Sequence, residues 1–478
     1  MNKQENLRNG VLLLLALTIM GSVWAATHFR MWTLLIAPFG VLLFLQLAYD
    51  FRVLYYLLFF CIPFSSQLEI GTLSMDLPDE PLMILFTGIG ILLLLRGKTI
   101  KWREPLYPFF LLVILLVIWM TFTSIISTHF FRSAKFMLAK LWYLMAFVFM
   151  ANYLIQEKKH VENLLWACLV GGSLITLFVL FNHALEGFSF GESHGIVRPF
   201  FPNAVVYGAF LALLFPYAWI LKDWYSPKSF KWWILIGISA LLLIGIALSF
   251  RRGAWVAIAL LPIVFILIKL QAFRWVTYST LVFVGLILFY LIQGNTFYYY
   301  APNYEKTIYH EGDISGHLSA TLEGKELSGM ERLYRWVAAK NMIGENLWVG
   351  TGPSTFNQEY KKYADDAFRT YVSDNPEQST THNYFLMTFA EQGIIGGALF
   401  LGLCIYMLTK AATVYQSCQD PQLKTLSLAV LMSLITILFH SILNELIEVN
   451  KVGSFFWLNL VLIHKVEQWS GVKGKSLS

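Results

Sequence analysis

Apolar runs of about 15–25 residues recur along nearly the whole chain, and each is long enough to cross a ~30 Å hydrocarbon layer as a helix. They cover residues 10–29, 31–49, 52–66, 81–96, 107–127, 136–155, 161–181, 203–221, 232–250, 253–270, 273–293, 383–409, 425–447 and 452–466. Only 13% of the 478 residues are charged, against about 25% in soluble domains. A water-facing globule is therefore excluded. So is an outer-membrane barrel, whose strands would alternate polar and apolar residues. The expected fold is an all-α polytopic membrane protein with about 12–14 transmembrane helices. Two spans are weak: 52–66 is short and contains Pro63, and 452–466 barely reaches across.

The net charge of +6 comes without any cluster of five basic residues, so it speaks of topology and not of nucleic acid. With the amino terminus (Lys3, Arg8) inside, the inner segments collect Arg52, Arg96, Lys98, Lys101, Arg103, Lys158, Lys159, Lys222, Lys228 and Lys231, among others. The short outer loops hold few: Arg30, Arg132, Lys135, Arg198, Arg251, Arg252 and Lys451. That asymmetry follows the positive-inside rule. Residues 1–26 also fit a cleavable signal ending near Val23 and Ala25, which would leave the downstream sidedness unchanged. Cys61, Cys168, Cys404 and Cys418 show no CxxC spacing, which argues against a disulfide frame, a zinc site or an iron–sulfur cluster.

One polar stretch interrupts the pattern. Residues 294–382 hold eight basic and 12 acidic residues, fall outside, and are too long for a passive connection. The expected organisation is transmembrane helices over 1–293, a loop domain over 294–382 and further transmembrane helices over 383–478. Within the loop, Arg332–Ile343 and Ser354–Phe368 have helical spacing, divided by the turn formers Gly350-Thr351-Gly352-Pro353.

The inner loops contain no phosphate-binding glycine loop and no HExxH motif, so chemistry is expected outside. Arg198, Arg251 and Arg252 lie on that side in loops with almost no other charge. Interfacial arginines ordinarily anchor to headgroups, but anchoring favours the inner face. Several guanidinium forks converging from one rim can hold a diphosphate without a metal. Arg332 and Trp336 share a helix face in the loop, with Arg335 beside them. His382 closes the loop where the next apolar helix opens, a place where a general base would meet a lipid-linked donor and an acceptor. Glu391 lies nine residues further, roughly 13 Å deeper along a helix, where an ionisable group is functional or critical to packing. Asp76, Asp79 and Glu80, between Pro78 and Pro81, read as a structural turn. His440, Asn444, Glu445 and Glu448 cluster at helical spacing, either supporting the site or pairing among themselves.

Four motifs together resemble the O-antigen ligase and polymerase superfamily. His382-Asn383, nine residues, then Gly393-Ile394-Ile395-Gly396 is similar to its His-Asn-x9-Gly-x-x-Gly pattern. Ser249-Phe250-Arg251-Arg252-Gly253-Ala254-Trp255 resembles its Ser-x-Arg-Gly-Ala-Trp turn with one residue added. Arg332-x3-Trp336 and Gly350-Thr351-Gly352-Pro353 match its Arg-x3-Trp and Gly-x-Gly-Pro elements. Arg198 ahead of Phe201-Pro202-Asn203 resembles its first-loop arginine, with a degenerate Phe-x-Asn-Pro-Asn segment.

The resemblance implies a GT-C-type glycosyltransferase of a bacterial inner membrane, its active site facing the periplasm. Such ligases move a glycan from undecaprenyl diphosphate to a lipid A–core hydroxyl, inverting the anomeric centre without a metal or other cofactor. Carried over residue by residue, Arg198, Arg252 and, less closely aligned, Arg332 would bind the diphosphate. Arg251 competes with Arg252 for that part, and Arg252 is favoured beside Gly253. His382 would be the base, with Asn383, Glu391, Trp336 and Gly352 in support. Two other readings stand beside it. A polymerase of the same superfamily would take a second lipid-linked glycan as acceptor. A flippase would need charges lining a path across the bilayer, and the buried charges here are few and biased outward.

Overall fold

The computed structural model describes residues 50–70, 73–97, 107–301, 327–369 and 380–471, with isolated positions at 17–18, 20–22, 24 and 373. The candidate spans 10–29 and 31–49, and the signal-like segment, fall essentially outside the described residues. Every other candidate span is a helix. In chain order these are α1 (Arg52–Cys61), α2 (Asp79–Leu95), α3 (Pro108–Ile125), α4 (Phe130–Leu144), α5 (Lys158–Leu185), α6 (Ala204–Leu221), α7 (Phe230–Leu248), α8 (Arg252–Lys269) and α9 (Phe273–Ile292). Within the polar segment lies α10 (Leu327–Glu345), and after it come α11 (Tyr384–Ser417), α12 (Pro421–Leu443) and α13 (Asn450–Ser470). Among the described residues nine helices are long and apolar enough to cross a membrane. The chain is an all-α, multi-pass membrane protein.

The centre of the bundle is α6, α12 and α13, each buried on almost every side. That position explains why 452–466 looked weak. Its Asn459 donates to Ser433 at 3.3 Å and accepts from Tyr217, so its polar groups are spent on neighbouring helices and not exposed to lipid. By contrast α9 buries only Phe273, and its apolar side chains face outward all round. Such a surface suits acyl chains.

A small hairpin, unforeseen from sequence, joins α1 to α2: β1 (Ser66–Ile70) pairs antiparallel with β2 (Leu73–Leu77). Asp79 is buried behind it and accepts a 2.5 Å hydrogen bond from Ser65, while Lys451 of α13 donates to the carbonyls of Ile62 and Ser65. The turn holding Asp79 is thus a structural tie.

A second apolar cluster joins the polar segment to α11: Tyr334, Val337, Ala338 and Met342 of α10 pack with Phe356, Tyr360 and Phe368 and with Ala390 of α11. The helix expected over Arg332–Ile343 is present within α10. The one expected over Ser354–Phe368 is replaced by the single turn Phe356–Glu359 and short 3-10 turns at Tyr360–Lys362 and Asp366–Phe368. The Glu391 carboxylate accepts from the backbone N–H groups of Ser354 and Phe356 at 2.8 and 3.0 Å, donors that a helix start leaves free. The break comes from the backbone on either side: Ser354 is left-handed (φ 62°), and Asp365 starts a new turn by accepting from Ala367.

The glycine motifs form one backbone crossing. Helix α11 breaks at Gly393 (φ 67°, ψ −174°), a conformation confined to glycine. The carbonyls freed there are taken up by donors from elsewhere: Ala390 by Thr351 N, Glu391 by Gly352 N and Gln392 by the Trp119 indole. In return Ile394 N donates to Leu347 O at 2.8 Å. A Cβ on Gly393 would collide with the Trp348 backbone, and one on Gly350 with the backbone of Glu391. Gly393→Ala should therefore cost on the order of 1–3 kcal/mol from backbone strain alone. Thermal unfolding in detergent should show a lower midpoint than for Gly402→Ala, where a Cβ meets open space. Equal midpoints would contradict this reading of the crossing.

Candidate active site

His382 stands at the mouth of α11 in a left-handed conformation (φ 52°), held from both sides. Behind it Asn383 caps α11 by accepting from Leu386 N at 3.0 Å. Ahead of it the segment is pinned to α10, with the Trp336 indole donating to Thr381 O at 2.9 Å. Buried Arg335 reaches Thr380 O and pairs with Glu331 at 3.4 Å. Arg335 is thus an internal strut and not a solvated face, and Trp336 is a positioning contact.

Across from His382 lies the end of α12. Glu445 Oε2 is 3.9 Å from His382 Nδ1, and Glu445 Oε1 is 3.1 Å from the Thr381 hydroxyl. That hydroxyl also faces Asn383 O at 2.7 Å, and with one proton it serves one oxygen at a time. Burial lowers the His382 pKa below its ordinary value. Glu445 opposes the shift, the nearby charges of Arg335 and Arg332 reinforce it, and a hydrogen bond with Asn444 opposes it again. The imidazole is therefore neutral near pH 7. Of the cluster weighed in sequence, Asn444 and Glu445 turn to His382, while Glu448 pairs with Lys140 at 2.7 Å. An intramembrane lysine was the available signal for that second pair.

The arginine turn reaches the same helix end. Ser249 accepts from Arg251 N at 3.3 Å and closes the bend, Arg251 takes the N-cap of α8, and Arg252 is its first residue. Beside them, a Cβ at Gly253 would lie 3.7 Å from His440 Nε2. His440 is one helical turn from Asn444, whose N–H donates to His440 O at 2.8 Å. The end of α12 therefore meets both the arginine turn, through His440, and His382, through Asn444 and Glu445. Two cations also sit at the positive end of a helix whose first turn holds no acid. That arrangement is unfavourable alone and favourable around an anion. Burial and the adjacent Arg252 depress the Arg251 pKa.

Arg251 Nη2 donates to Ser193 at 2.8 Å, tying down the loop that carries exposed Arg198. Phe190 of that loop packs edge-on against Phe250, with ring centroids 5.5 Å apart. Two supporting candidates hold backbone in place: Glu391 is a buried anchor for Ser354 and Phe356, and Gly352 is packed against Ser127. Among the described residues no three His, Cys, Asp or Glu side chains gather as metal ligands do.

Residues 237–401 match the O-antigen ligase family. The match supports the superfamily resemblance over that stretch and takes in Arg251, Arg252, Arg332 and His382. Arg198 lies upstream of it and Glu445 downstream. No curated protein matches the chain. Together with the membrane-length helices, the match supports an enzyme of the O-antigen ligase or polymerase type, embedded in a membrane and working on glycan-linked substrates.

Proposed function

We propose that the chain is a GT-C-type glycosyltransferase that moves a glycan from undecaprenyl diphosphate to a lipid A–core hydroxyl, at the periplasmic face of a bacterial inner membrane. The observation that carries this reading is the shared end of α12, against which the arginine turn and His382 both pack. Arg252 and Arg198 would hold the diphosphate, with Arg332 nearby and Arg251 fixing the Arg198 loop through Ser193. His382 Nδ1 faces the Glu445 carboxylate, which favours a proton there and leaves Nε2 as the basic nitrogen.

The acceptor oxygen attacks the anomeric carbon as its proton passes to Nε2. The bond from that carbon to the diphosphate oxygen breaks, and the electron pair leaves on the diphosphate, whose charge the guanidinium groups meet. Attack from the face opposite the leaving group inverts the anomeric centre. No step calls for a metal.

A deletion strain tests the reading on a polysaccharide gel. Loss of the lipid A-linked ladder with lipid-linked polymer accumulating is the expected result. A single-repeat band would make the protein a polymerase, and an unchanged pattern would remove it from this pathway.

The Glu445 contact gives a pH prediction. Protonated His382 cannot accept a proton, so turnover falls as pH drops through its pKa, and that acidic limb lies below the ordinary imidazole range. Glu445 raises the pKa, so Glu445→Gln should move the limb further to the acid side. It should also lower turnover by roughly tenfold, about 1.4 kcal/mol of lost orientation. A limb moving to higher pH would contradict the assignment.

A further inference from the structure

A cavity of about 390 Å³ is lined by Thr380, two residues before His382, and by Glu445, whose carboxylate faces the histidine. Its other charged walls are Glu80, Lys140, Glu391 and Glu448. We propose that it receives the hydroxyl-bearing sugar of the acceptor, a reading that rests on the glycan transfer proposed above.

Charge decides between the substrates. Four carboxylates stand against one ammonium in the lining. Both Glu448 oxygens are held by Lys140 at 2.9 and 2.7 Å, and the Tyr384 hydroxyl adds a 2.5 Å bond. Lys140 is thereby spent inside the wall and is not free to meet an anion. A diphosphate is repelled here, whereas it is attracted at the arginine turn, none of whose residues lines the cavity. Glu391 and Glu448 are held by protein donors, which leaves Glu80 and Glu445 to face a ligand. An uncharged sugar suits them, because carboxylates only accept hydrogen bonds and sugar hydroxyls donate them.

Two further features fit the same ligand. The side chains of Phe136, Trp142 and Phe356 line the cavity and offer faces for the C–H surfaces of a sugar ring. The Asn357 amide oxygen is buried at this wall with no hydrogen-bond partner among the described residues, an acceptor awaiting a donor. The volume lies at the low end of small-ligand pockets and holds roughly one or two sugar rings. An acceptor sugar held there would extend its reacting hydroxyl past Glu445 to His382 Nε2, while the donor's diphosphate approaches from the arginine turn. The two substrates then converge on the histidine from sites of opposite charge.

The test uses the full-length protein in lipid, with undecaprenyl-diphosphate glycan and lipid A–core as separate probes. Ala139 lines the cavity, and Ala139→Cys places a mild thiol there. Its maleimide labelling, corrected for the wild type, should slow at least fivefold with lipid A–core and not with the lipid diphosphate. Ala139→Phe, which fills the space, should raise the acceptor KM tenfold or more and leave donor affinity unchanged. Labelling indifferent to the acceptor, or protected by the donor instead, overturns the assignment even where Ala139→Phe fails to fold. Wild-type protein that transfers glycan, while the acceptor leaves labelling of the Ala139→Cys variant unaltered, overturns the cavity alone. Wild-type protein that transfers nothing to lipid A–core overturns the functional reading and the cavity with it.

Discussion

His382→Ala should cut turnover by roughly 10²–10⁴, the usual worth of a positioned general base. Donor binding should scarcely change, because the diphosphate is assigned to the arginines and not to the imidazole. Purified protein in lipid separates the two, with lipid-linked glycan binding measured apart from product formation. His382→Gln should do no better than Ala, since an amide keeps the shape and hydrogen bonding but takes up no proton at neutral pH. A variant that binds donor poorly yet turns over bound donor normally would make His382 a phosphate ligand and refute the mechanism.

Arg252→Ala should abolish measurable transfer while leaving membrane insertion intact. Donor affinity should fall roughly 10- to 150-fold, the equivalent of 1.5–3 kcal/mol for a charged hydrogen-bonded contact. Arg252→Lys should recover only part of it, because an ammonium keeps the charge but not the bidentate fork. Arg251→Ala should behave differently. With its bond to Ser193 gone, the loop holding Arg198 loses an anchor, so donor affinity falls by less and Arg251→Lys restores little. Full donor affinity in Arg252→Ala would take the diphosphate away from this position.

The helical bundle was legible because each span carries its own signal: an apolar run of bilayer length needs no knowledge of its neighbours. Burial among other helices lets that signal fade without requiring it: α13 carries Asn459, Ser454 and Lys451 buried against protein, while the equally central α6 and α12 stay strongly apolar. The β1–β2 hairpin escaped because five-residue strands with Ser, Gln, Glu and Asp look like a polar turn. The helix over Ser354–Phe368 fails for local reasons that apolar spacing does not register: Ser354 is left-handed, and the Asp365 side chain accepts from Ala367 N and starts a new turn.

The site divided in the same way. His382 and the arginine turn stood out as local motifs. The glycines of the two later motifs were visible too, but not that Gly350, Gly352 and Gly393 meet in one crossing, since nothing in either segment names its partner. The contact of Glu445 with His382 and that of Lys140 with Glu448 likewise join residues far apart in the chain. Spacing along a helix left two readings of that cluster, support for the site or pairing within it, and the packing of α12 against the start of α11 turns Glu445 to His382 and Glu448 to Lys140.

The most direct test of the account is stoichiometric. Wild-type protein is reconstituted in sealed vesicles with undecaprenyl-diphosphate glycan and lipid A–core, in the presence of chelator, and the lipid and glycan products are counted together. The account predicts one undecaprenyl diphosphate released for each glycan joined to the acceptor, with the anomeric configuration inverted. Passage of intact lipid-linked glycan between leaflets with no diphosphate released would contradict it and make the protein a transporter.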